Sequence, residues 1–86
     1  MNTFPLKISS PDGSFFDGNI IKISLRGADG DLAVMAGHVP FVTSVKPCDF
    51  HLELEDGSVK RGHTDGGILT VSEKAVIFLT GSMQWL

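Results

Sequence analysis

Tyrosine is absent from this chain, and tryptophan and cysteine occur once each. The single thiol, Cys48, excludes an internal disulfide framework and fits a reducing compartment. No apolar run approaches the roughly eighteen residues that a membrane-crossing helix needs. The start, Met1-Asn2-Thr3-Phe4-Pro5-Leu6-Lys7, has neither a basic stretch with an apolar core nor a transit-peptide bias, so no signal peptide is expected. Positive charge is scarce as well. Seven Lys and Arg stand against ten Asp and Glu, a net charge of −3. Nucleic acid is therefore not an expected partner, because phosphate binding needs a positive field.

What is present is a period of two. Ile21, Ile23 and Leu25 alternate with Lys22, Ser24 and Arg26, and Phe50, Leu52 and Leu54 alternate with His51, Glu53 and Glu55. Both runs read as strands with one face buried and one wet. Pro11-Asp12-Gly13, Asp17-Gly18, Asp29-Gly30, Asp56-Gly57 and Asp65-Gly66-Gly67 supply turns at short intervals. Asp56-Gly57 predicts a two-residue type I′ hairpin, which wants positive φ at both positions. No apolar pattern at helical spacing is sustained. The expectation is one domain, residues 1–86, all-β, built as an antiparallel β-sandwich or flattened barrel of about 8–10 short strands. Ile21, Ile23, Leu25, Leu52, Leu54, Leu69, Val71 and either Ile77 or Phe78 are its expected core.

Two segments break the alternation. Leu32-Ala33-Val34-Met35 and Ala75-Val76-Ile77-Phe78-Leu79 are apolar on both faces. Either a neighbouring loop covers the second face, or a partner does. A sandwich this small has few spare elements to act as a cover.

Candidates for chemistry are thin. His38, His51, His63 and Cys48 lack close metal-ligand spacing. Asp29-Gly30-Asp31 opens like a calcium loop, but the remaining ligands do not follow. No Ser sits in a nucleophile elbow, and no Gly-rich turn leads into Lys-Ser/Thr to cradle phosphate. No catalytic residue, metal or cofactor is expected. On residues alone the chain reads as a small β module that binds something, and a free-standing module for a small ligand or peptide is one such reading.

The most informative stretch is Gly30-Asp31-Leu32-Ala33-Val34-Met35-Ala36-Gly37-His38-Val39-Pro40-Phe41-Val42-Thr43-Ser44-Val45-Lys46-Pro47. It reads as strand, sharp corner, strand: Gly37 permits positive φ, and Pro40 restricts Val39 to extended geometry. This string resembles the N-terminal β-sandwich domain of the epsilon subunit of F-type ATP synthases. Leu6-Lys7-Ile8-Ser9-Ser10-Pro11, Phe16-Asp17-Gly18, Ile20 to Leu25, Gly66-Gly67-Ile68-Leu69-Thr70-Val71 and Ala75 to Leu79 resemble further motifs of that family, in the same order.

The resemblance implies a non-catalytic subunit of the central stalk. Its partners would be the gamma subunit and the c-ring, and its role would be to couple proton flow to ATP synthesis. It implies that Asp29, Asp31, Gly37, His38 and Pro40 lie at or near the ring-facing edge. Ser10, Thr43, Phe41 and Val42 would lie on the gamma-facing side. The implied location is peripheral, on the cytoplasmic face of a bacterial energy-transducing membrane, with the stromal face of a thylakoid as the lesser alternative. The sequence departs from the family at Ala36, where Pro is usual, and at Cys48, where Gly is usual. It also stops at Met83-Gln84-Trp85-Leu86, where the family continues into a helical hairpin that restrains ATP hydrolysis and in some members binds ATP. Neither property is expected of these 86 residues.

Overall fold

A computed structural model describes residues 2–86. It contains nine strands: β1 (Phe4–Ser10), β2 (Gly13–Gly27), β3 (Gly30–Met35), β4 (Phe41–Val45), β5 (Cys48–Leu54), β6 (Val59–Thr64), β7 (Gly67–Val71), β8 (Val76–Thr80) and β9 (Met83–Trp85). The chain is all-β, as the alternation requires. One leaf of the sandwich runs β1-β8-β7-β4 and the other β3-β2-β5-β6-β9. The first part of β2 pairs with β1, and its last residue, Gly27, pairs with Val45 of β4. The two leaves therefore share a strand. Eight of the pairings are antiparallel, but β1 and β8 run parallel, from Leu6↔Val76 to Ser9↔Leu79. Alternation cannot report strand direction, and the long crossover between β1 and β8 makes parallel pairing possible.

The core is made by the inward half of each strand. Leu6 and Ile8, Ile20 and Ile23, Phe50 and Leu52, Leu69, Val76 and Phe78 are all essentially inaccessible. Each fully buried aliphatic side chain among them contributes about 1.5–3 kcal/mol. The ring of Phe50 meets Phe78 edge-on across the two leaves, and Trp85 tilts against Phe50 from β9. Of the two expected alternatives at the end of the core, Phe78 is the buried one and Ile77 faces out. Leu54 is only partly buried, packed against the margin of the core. Ile20 was not among the expected residues. The β2–β5 register skips a residue between Ile20 and Lys22, so Ile20 enters the core and Ile21 is covered outside the central cluster. A β-bulge shifts alternation by one position, and no residue pattern announces it.

Two further local findings differ from expectation. The β5–β6 hairpin closes through Gly57 N–H donating to Leu54 O (2.9 Å) and Leu54 N–H to Ser58 O (2.8 Å). Gly57 has φ +88°, and no non-Gly residue has positive φ among the described residues, so Asp56 does not. This is a three-residue loop with the left-handed residue at its end rather than a type I′ turn. Cys48, expected at a turn where Gly is usual, is instead the first residue of β5, extended and packed partly against the core.

At the β6–β7 and β8–β9 turns the only buried polar side chains among the described residues, Thr64 and Thr80, face each other. Their hydroxyls lie 2.7 Å apart; Gly66 N–H donates to Thr64 Oγ1 (3.0 Å), and Gly66 O is 2.8 Å from Thr80 Oγ1. Buried polar groups that satisfy one another lock the geometry around them. The turns they lock carry β7 and β8.

Candidate docking surface

Directly opposed residues on paired strands point to the same face, so register alone maps the outer surface of the β1-β8-β7-β4 leaf. It consists of two rows. Lys7, Ile77, Thr70 and Val42 form one, and Ser9, Leu79, Ile68 and Ser44 form the other. Val42 is 67% exposed, Leu79 52%, Ile68 44% and Ile77 40%. Four large apolar side chains thus lie uncovered on one face. Polar residues line both margins, Lys7 and Ser9 on β1 and Ser44 on β4. Of the two explanations for the apolar 75–79 segment, cover from within the domain is not what the structure shows. Met35, at the end of the 32–35 segment, is likewise about half exposed.

The opposite leaf presents a different surface. Its outward rows hold Asp31 and Arg26, Ser24 and His51, and Arg61, with Asp49 opposite His63. His63 Nδ1 is 2.7 Å from Asp49 Oδ1. Among the described residues no group of three His, Cys, Asp or Glu is arranged to hold a metal ion. A groove of about 440 Å³, open to solvent, runs between Arg26 and Asp31 on one side and Pro47, Cys48 and His51 on the other.

The residues expected at partner contacts are placed as follows. Asp29 lies exposed in the turn between β2 and β3, and Asp31 follows as a residue of β3. Asp31 stands opposite Arg26 and accepts a hydrogen bond from its Nε at 3.0 Å. That bond, and then the carboxylate charge, raises the Arg26 pKa above its ordinary value. Gly37, with φ +85°, makes the corner at the other end of β3. At about 3.3 Å per residue the six-residue strand separates the two ends by roughly 17 Å. His38 follows Gly37, packs edge-on against Phe4 with ring centres 5.5 Å apart, and has a buried Nδ1 with no hydrogen-bond partner among the described residues.

Pro40 then leads into Phe41. Phe41, Val42 and Thr43 line a groove of about 270 Å³ together with Asp29, Gly30, Asp31 and Leu32. The structure therefore brings Asp29 and Asp31 next to Phe41, Val42 and Thr43, and holds Gly37 and His38 apart from the acidic tip. Alternation also divides the β4 residues. Val42 belongs to the apolar outer face, whereas Phe41 and Thr43 pair with the core residues Val71 and Leu69 and lie on the other face, Phe41 still 39% exposed at the strand end. Ser10 ends β1, where its hydroxyl accepts from Asp12 N–H at 3.1 Å and shapes the turn into β2. Ile68 and Leu79 were not among the expected contact residues. Their signal was present in two apolar strands, but alternation says which residues share a face, not whether that face is covered.

The nine strands define a small β-sandwich module with one uncovered apolar outer face. The chain belongs to the ATP synthase delta/epsilon chain β-sandwich domain family, whose model matches residues 3–86. It is 40% identical over 83 residues to the sodium ion specific ATP synthase epsilon chain of Acetobacterium woodii, covering 96% of this chain and 62% of that one. It is 32% identical to the ATP synthase epsilon chain of Clostridium novyi, covering 96% and 63% respectively. The chain thus spans less than two thirds of the length of these relatives. Its fold matches a chain in the cryo-EM structure of the Euglena gracilis mitochondrial ATP synthase with a TM-score of 0.90, at 22% identity and covering 96% of this chain and 53% of that one. A second match, TM-score 0.77 at 13% identity, is to the central stalk and c-ring structure of the Tetrahymena thermophila mitochondrial enzyme, covering 96% and 66%.

Proposed function

We propose that this chain is a non-catalytic rotor subunit of an F-type ATP synthase, docked on the gamma subunit and the c-ring so that ion flow drives ATP synthesis. The observation that carries the reading is the uncovered apolar face of Val42, Ile68, Ile77 and Leu79. An exposed apolar sheet face with a polar rim is the form of a protein-docking site. A small-ligand binder would instead need a deep, mostly apolar pocket. Gamma is assigned to this face because the family's sandwich packs one side on gamma.

The acidic tip at Asp29 and Asp31 is assigned to the ring. A tip carrying two carboxylates complements a basic polar loop, and such complementarity sets register and encounter rate more than affinity. In this reading the subunit sits at the cytoplasmic face of a bacterial membrane and is held there by the complex. Protons are the proposed coupling ion; the sodium specificity of the Acetobacterium relative makes sodium the alternative to be tested.

The test is capture of purified gamma by this chain, followed by assembly into vesicles energised by either a proton or a sodium gradient. Gamma should be retained, and ATP synthesis should depend on the added chain. Failure to retain gamma, with the chain folded, would remove the docking assignment.

A further inference from the structure

We propose that Arg26 is an internal counter-charge that sets how strongly, and at what ionic strength, the Asp29–Asp31 tip engages a basic loop; this rests on the ring-facing assignment of that tip. Arg26 and Asp31 are register partners across the β2–β3 hairpin, one step from its Gly27–Gly30 closure. Their Nε–Oδ1 separation is 3.0 Å, and the side chains are 58% and 81% exposed. A pair held so openly is weak and can exchange partners without stripping buried contacts.

The grooves give this exchange a direction. Asp31 lies between the two grooves described above and lines both. Arg26 lines only the larger, with Cys48 and His51, whereas Asp29, Phe41 and Val42 line only the smaller. Arg26 therefore holds Asp31 from the side away from Phe41. A cation entering the smaller groove meets Asp29 directly and competes with Arg26 for Asp31. With Arg26 in place the tip carries two carboxylates and one guanidinium; without it, two unopposed carboxylates remain. Arg26 thus weakens docking of a cation and makes it reversible, because its own guanidinium is exposed and returns to water once displaced. The partner that fits is a loop presenting a cation to Asp29 and Asp31.

The experiment titrates the wild-type chain, R26K, R26Q, D31N and R26Q/D31N, the last compared with D31N, against the purified gamma–ring assembly and against gamma alone. Each is done at roughly 50 mM and 500 mM salt, so that screening separates charge effects from packing. R26Q should bind the assembly about 2–5-fold more tightly at low salt, bind gamma alone as the wild type does, and lose its advantage at high salt. R26K should match the wild type. In R26Q/D31N the advantage should vanish, because Arg26 acts through Asp31. Unchanged or weaker binding by a folded R26Q, or an advantage that survives in the D31N background, overturns the proposal. A separate arm uses D29K/D31K. Wild-type affinity of that variant for the assembly would overturn the ring-facing assignment itself, whatever R26Q does.

Discussion

Ile68 and Leu79 stand directly opposite each other on β7 and β8, and both are about half exposed on the outer face of one leaf. Their neighbours within the same strands, Leu69 and Phe78, are fully buried. The two strands thus supply the core with one side and an uncovered apolar surface with the other.

Replacing Ile68 and Leu79 together with Ser should separate these two roles. Neither side chain is enclosed, so the change in stability should stay within about 1 kcal/mol. Capture of gamma should fall by roughly 30-fold or more, since loss of central apolar anchors costs 2 kcal/mol or more. A thermal melt and a gamma-binding titration of the double variant check both halves. Full retention of gamma would move the docking face elsewhere.

Gly67 is expected to tolerate no side chain. A Cβ there would overlap the Leu79 carbonyl oxygen, which is backbone and cannot swing aside. Gly67→Ala should cost about 3 kcal/mol or more, at the upper end of single-substitution effects. Gly30→Ala is the control: its φ of +125° is unfavourable for Ala, but nothing lies within 4 Å of the added carbon. Its cost should be confined to backbone strain, about 1–3 kcal/mol. Urea unfolding of the two variants should rank them in that order.

Thr64→Val should destabilise the domain by about 1–3 kcal/mol, although the volume is nearly kept. The substitution leaves Gly66 N–H without its acceptor in a buried setting. Thr80 still has Gly66 O to donate to, at 2.8 Å. Amide exchange at Gly66 should accelerate in the variant relative to Leu69; protection at Gly66 equal to wild type would show that another acceptor takes over.

The Asp56 carboxylate is held below its ordinary value of 3.8, first by the Ser58 hydroxyl and second by Ser58 N–H. Both reach Oδ1, at 2.6 and 2.9 Å. Because the folded value lies below the unfolded one, the contribution of this turn to stability is present above the ordinary carboxylate range. It is lost as pH falls through the depressed value. Ser58→Ala removes the larger cause, so the Asp56 midpoint in a carboxyl-carbon NMR titration should rise toward 3.8. An unmoved midpoint would show that the backbone N–H alone sets it.

Much of this architecture could be read from residue order because sheet burial has a period of two. Ile23, Leu25, Leu52, Leu69 and Val71 are buried where alternation put them. The all-strand fold follows from the turn residues between such runs. What escaped were features with no signature in composition. The skipped residue at Ile21 shifts the core by one position, the parallel β1–β8 pairing depends on global topology, and the Asp56-Gly57 turn type depends on one residue's φ. The uncovered apolar face was half legible. Apolar residues on both sides of β8 signalled that something must cover Ile77 and Leu79, and Val42 was expected to face a partner. That Ile68 completes the patch follows only from register, which the sequence does not state.

β2 is 15 residues long and belongs to both leaves. Many two-leaf proteins meet only through side chains, and under shear such leaves can slip past each other. Here the apolar face and the acidic tip are joined through one continuous strand, whose ends are bonded to β1 on one side and to β3 and β4 on the other. A twisting force applied at the tip would have to stretch covalent backbone and break ladder hydrogen bonds before the opposite face lagged behind. The shared strand ties the two leaves into one stiff body.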